Sequence, residues 1–117
     1  MWTLCDYILA LTVYPLLEEW VFRGGMQSYL TQRNKASTLT TRYGFTIANI
    51  ATSFSFSIAH CMTRGISTAC FVFFPSLVLG WCRDRGLSMR GCVIVHILAN
   101  MIYFLGDYYM RTHTLFF

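Results

Sequence analysis

Charge is scarce in this 117-residue chain: Lys, Arg, Asp and Glu together make up 12% of it, against about a quarter in an average soluble domain. Proline occurs twice and there is no internal repeat or low-complexity tract, which excludes collagen-like and disordered classes. The five cysteines are an odd number, none forms a C-x-x-C pair, and most lie inside apolar runs. A disulfide framework or zinc ribbon is therefore not expected. No H-E-x-x-H occurs either, so the common helical zinc-protease motif is missing. The N-terminus lacks a basic lead and an A-x-A site, so it does not read as a signal peptide.

What is present is apolar: 56% hydrophobic residues and 17% aromatics, with a mean hydropathy of +0.49. A soluble domain this short buries only about two-thirds of its unfolded surface, too little to hide so much apolar side chain. Despite the formal charge of +4, the composition fits a lipid bilayer as partner and not a nucleic acid. Four hydrophobic stretches can be marked, about Trp2–Leu30, Phe45–Met62, Ile66–Cys82 and Cys92–Tyr109. Each reaches or approaches the ~17–25 residues of a tilted spanning helix. Strands cannot satisfy their backbones singly in lipid. The expectation is an all-α membrane protein, residues 1–117 forming one compact domain of about four transmembrane helices. Pro15 and Pro75 should kink or restart their helices.

Two connections are basic: Thr31–Thr41 with its flanking Arg42, and Arg83–Gly91. The turn Thr63-Arg64-Gly65 carries one arginine. The positive-inside rule then predicts a multi-pass protein with both basic loops in the cytoplasm and both termini outside. The bacterial inner membrane is the expected location.

A charge at bilayer depth costs ~2.5–3.5 kcal/mol or more, so the polar residues inside the stretches need reasons. Glu19 and Arg23 are four apart and can pair along a helix. Glu18 has no such local partner, and unpaired carboxylates in low dielectric are the ones drawn toward acid–base work. Asn49, Ser53, Phe56 and His60 fall on one helix face, and His96 and Asn100 on another. Counted at 1.5 Å per residue, Glu18, His60 and Asn100 lie ~20, ~24 and ~15 Å from the side of the basic loops. A shared polar cluster inside the bilayer is therefore allowed, nearer the outer face than the cytoplasmic one. Small residues support close packing around it: Ser76-x-x-x-Gly80 on one stretch, and Ala48, Thr52, Ser55 and Ala59 on another. Gly24-Gly25 reads as a packing notch.

Glu18-Glu19-x-x-x-Arg23 (EEWVFRG), Phe56-x-x-x-His60 (FSIAH) and His96-x-x-x-Asn100 (HILAN) follow one another on separate spans. In that order they resemble the three motifs of the CPBP intramembrane endopeptidases, the family of CAAX prenyl proteases and bacteriocin-processing proteins. The resemblance runs from about Pro15 to Phe104. Tyr14-Pro15 and FPSLVLG (Phe74–Gly80) look most like a bacterial subgroup tied to C-terminal sorting tails. Members usually carry additional N-terminal spans, whereas this chain has the core.

The resemblance implies hydrolysis of peptide bonds in a membrane-associated protein or peptide. It matches Glu18 to the catalytic glutamate, His60 to the histidine that helps it activate water, and His96 with Asn100 to the groups facing the oxyanion. Glu19, Arg23 and Phe56 would support these from behind. No cofactor is expected on this reading. Two histidines and a glutamate are also a catalytic zinc ligand set, which makes Glu18, His60 and His96 the ligands of an alternative, zinc-dependent protease. Axial ligation of a b-type haem by His60 and His96, and a non-catalytic membrane scaffold, remain open at this point.

Overall fold

The computed structural model describes residues 2–113, which make four helical passes. Thr3 opens the first. Its hydroxyl accepts the Asp6 N–H at 3.3 Å while the Asp6 carboxylate accepts the Thr3 N–H at 2.7 Å. This reciprocal cap starts α1 (Leu4–Leu11). Thr12 leaves helical geometry, and α2 (Val13–Glu19) begins again with Pro15 in its first turn, where the missing N–H has no helical partner to lose. The interruption expected at Pro15 is thus a restart just ahead of it.

Trp20–Gln27 then form a π-helix, and α3 (Ser28–Arg33) completes the pass. The widened turns contain Gly24-Gly25, and the Ser28 hydroxyl donates to the Arg23 carbonyl five residues back, at 2.7 Å. Wide turns of this kind are rare and concentrate at functional sites. The reading of Gly24 as a notch holds in one respect: a Cβ there would sit 3.3 Å from the Met89 methyl.

α4 (Ile47–Arg64) is capped by the Thr46 hydroxyl, which accepts the Asn49 N–H. It ends at Gly65, whose φ of +89° permits an immediate turn into α5 (Ile66–Asp84). α5 continues through Pro75. Gly86, at φ +99°, turns the chain again, and α6 (Met89–His113) is the last pass. Among the described residues there is no strand, only an isolated bridge between Thr40 and Thr46. The two basic connections come to one end of the bundle, where the Thr46 hydroxyl donates to Asp84 at 2.7 Å. Parts of the expected loops are helical, α3 reaching Arg33 and α6 starting at Met89.

α4 and α5 form the most extensive interface. Asn49 donates to the Leu77 carbonyl at 2.8 Å and Ser57 to that of Ala69 at 2.6 Å. Gly80 makes this possible, since a Cβ there would collide with the Asn49 carboxamide. The interior is polar. Glu19, Arg23, Gln27, Asn49, Ser53, His60 and Ser76 are buried, while Trp20, Phe71 and Ile102 are each at least 70% exposed. Polar inside and apolar outside is the order expected where the solvent is lipid. α5 and α6 are long and apolar enough to cross a membrane. The other two passes do not reach that measure, because the first is broken at Thr12 and carries charges and α4 carries the polar stripe.

Candidate active site

Glu18, the last residue but one of α2, lies on the wall of a cavity of about 450 Å³. Its carboxylate faces both histidines expected from the sequence: Oε1 lies 3.8 Å from His60 Nε2, and Oε2 lies 3.4 Å from His96 Nε2. Three groups from the first pass, α4 and α6 thus converge. The Glu18 side chain keeps 26% of its surface open, against 1% for Glu19. Adjacent in sequence, the two carboxylates point to different surroundings.

The tautomer of His60 follows from its other nitrogen. Nδ1 lies 3.1 Å from the Phe56 carbonyl one turn earlier, and a carbonyl oxygen only accepts. The ring proton therefore sits on Nδ1 in the neutral form, leaving the Nε2 lone pair toward Glu18. Phe56 packs against the His60 ring at 4.4 Å, against the His96 ring at 5.9 Å and edge-on to Phe22 at 5.1 Å. It is the apolar wall between the two histidines.

Glu19 does more than the sequence indicated. Its Oε1 accepts from His96 Nδ1 at 2.7 Å, and its Oε2 stands 3.7 Å from Arg23 Nε. The expected Glu19–Arg23 pair exists as a contact of charges, without a hydrogen bond. Arg23 donates instead to the Ser76 carbonyl at 2.7 Å and hydroxyl at 2.6 Å. A chain of polar contacts thus runs from α5 through Arg23 and Glu19 to His96. Gln27 extends it, donating to the Gly80 carbonyl at 3.0 Å and to Asp84 at 2.8 Å. The sequence reading missed Gln27. The signal available was spacing, since residues 19, 23 and 27 are each four apart and each 1% exposed. A widened turn aligns residues four apart more closely than the 3.6-residue α-turn does.

Asn100 lines the same cavity but lies one turn beyond His96. Its amide donates to the Ala10 carbonyl at 3.0 Å, which fixes the side chain and leaves one N–H uncommitted in that contact. All five cysteines are free. Among the described residues no group of three His, Cys, Asp or Glu side chains is arranged to hold a metal ion. The two histidines each commit one ring nitrogen, to Phe56 and to Glu19.

Over residues 1–102 the sequence matches the type II CAAX prenyl endopeptidase Rce1-like family. The chain belongs to that family. No curated protein and no solved structure matches it. The Rce1-like family is one of proteases, and its membership gives the chain its class: a CAAX-type intramembrane endopeptidase with a membrane-associated protein or peptide as substrate. The spanning lengths of α5 and α6 agree with a membrane protein. The family falls within the CPBP group that the three motifs resemble.

Proposed function

We propose that this Rce1-like protein cuts its substrate with a water activated by Glu18 and His60, without a metal. The observation that carries the proposal is the meeting of Glu18 with the Nε2 atoms of His60 and His96. At 3.8 Å the Glu18–His60 gap is too long for a direct hydrogen bond. An ionised carboxylate and a lone pair on Nε2 are both acceptors. A water donating one proton to each satisfies both, and its oxygen lone pair is then free to attack.

Attack on the scissile carbonyl carbon passes one water proton to Glu18 and places negative charge on the carbonyl oxygen. The C–N bond then breaks as Glu18 returns the proton to the leaving nitrogen. His96 lies between Glu18 and Glu19, with Nε2 toward the first and Nδ1 toward the second. With a proton on Nε2 the ring is a donor for the oxyanion, and the uncommitted N–H of Asn100 is a second. Glu19 and Arg23 act by position: Glu19 holds the His96 ring, and Arg23 ties the first pass to α5 through Ser76.

The cavity wall is largely apolar, including Val72, Phe74, Leu79 and Val95, which suits an aliphatic peptide segment. We propose a multi-pass orientation with the basic loops in the bacterial cytoplasm. The substrate tails are prenylated CAAX ends or, as the Tyr14-Pro15 and FPSLVLG segments favour, sorting tails of exported proteins. Membrane proteomics of cells carrying wild type or Glu18→Ala tests the proposal. An uncut membrane-associated precursor should accumulate with the variant. An unchanged proteome in cells shown to express both would overturn it.

A further inference from the structure

Arg64 is the exposed cation on the cavity wall. It stands one helical turn beyond His60 on α4, ~6 Å further along the axis. The other guanidinium lining the cavity, Arg23, is buried and committed to Ser76 and Glu19. The Arg64 guanidinium lies 5.3 Å over the Trp2 ring. Trp2 in turn packs on Tyr7 and Phe104 at 5.5 and 5.3 Å, and Phe104 also lines the cavity. Stacking holds the plane of an arginine while its N–H edge stays available for a bidentate partner. Among the described residues no Asp or Glu lies within ion-pairing distance of it.

We propose that Arg64 binds a carboxylate of the peptide substrate and so fixes where the chain is cut. This rests on the endopeptidase reading of the same cavity. A charge-assisted fork at the edge of a low-dielectric cavity is a strong and directional contact. The reacting carbonyl sits at Glu18 and His60. The rise to Arg64, with the length of its side chain, is covered by about two to three extended residues at ~3.3–3.6 Å each. The cut therefore falls that far from the bound carboxylate. Thr68, in the first turn of α5, lines the same cavity and donates its hydroxyl to the Arg64 carbonyl at 3.3 Å.

The carboxylate can come from the chain end or from an acidic side chain, and three peptides separate these sources. All carry a prenylated cysteine followed by three residues. One ends in a free carboxylate, one in a carboxamide, and one in a carboxamide after a C-terminal glutamate. Purified wild type and R64Q in liposomes are assayed on each. Wild type should show a KM about tenfold to a hundredfold lower for a carboxylate-bearing peptide than for the plain amide, with kcat little changed. In R64Q that ratio should fall to near one. Preference for the first peptide assigns the chain end, and preference for the third a side chain. A wild type that cuts all three with equal KM overturns the Arg64 assignment alone, as does R64Q that keeps the ratio. The wild-type comparison needs no variant, so a poorly folded R64Q does not blunt it. A wild type that cuts none of the three overturns the endopeptidase reading for this substrate class and the assignment with it.

Discussion

His96 Nδ1 lies 2.7 Å from Glu19 Oε1, so the carboxylate beside Glu18 in the chain serves a histidine on another helix. The two glutamates divide their work by direction. Glu18 looks into the cavity between two Nε2 atoms, and Glu19 is buried behind it, fixing one of those rings and facing Arg23. Conservative replacements should therefore give different results at the two positions.

Glu18→Gln keeps size and removes the base. Cleavage of a reporter peptide by purified protein should fall by ~10²–10⁴-fold, while the helical circular dichroism stays that of wild type. Residual activity within tenfold of wild type would remove Glu18 from the role of base.

Glu19→Gln retains an acceptor for His96 Nδ1 but loses the charge that faces Arg23, and activity should drop by ~10-fold or more. Both replacements leave the buried guanidinium without its anion, a change that costs ~3–5 kcal/mol in buried pairs, and Glu19→Ala also removes the acceptor for His96 Nδ1. In Glu19→Ala the cavity left by the side chain adds to that cost. The unfolding midpoint of Glu19→Ala in detergent should fall clearly below that of Glu19→Gln. Equal midpoints would show that the acceptor facing His96 carries little of the stability.

Gly80→Ala places a Cβ against the Asn49 carboxamide. Overpacking of this kind costs ~1–3 kcal/mol, and it should also loosen the Gln27 contact at the Gly80 carbonyl. Thermal unfolding of the solubilised protein checks the first effect. A midpoint equal to wild type would mean that α4 and α5 separate without cost.

Metal dependence is checked directly. The proposed mechanism expects full cleavage after dialysis against a strong chelator. It also expects zinc well below one equivalent in active preparations by elemental analysis. Stoichiometric zinc, with activity lost on removal and regained on addition, would replace the water-activation scheme with one in which Glu18, His60 and His96 are ligands.

Much of this site was readable before any coordinates. Glu18, His60 and His96 stand out because charged and imidazole groups are costly in apolar stretches, and the polar stripe of α4 follows from helical spacing. Same-helix relations are legible because the helix fixes them. Cross-helix relations are not. Nothing in the spacing of residues 19 and 23 indicates that Glu19 hydrogen-bonds His96, or that Arg23 turns to Ser76, since these depend on how the first pass is rotated against α5 and α6. The π-helix of Trp20–Gln27 changes that rotation, and with it Gln27 comes into the buried line. Asn100 shows the same limit: its turn was legible, its bond to Ala10 was not.

By itself the sequence determined the solvent, the class and the candidate residues of the site. Apolar stretches exclude water, and the few side chains that resist lipid are those to which the proposed mechanism gives the chemistry. Tertiary structure alone decided the direction in which each of those groups points. It set Glu18 between two imidazoles and sealed Glu19 behind His96, because a buried carboxylate must find its donors among whichever helices pack against it.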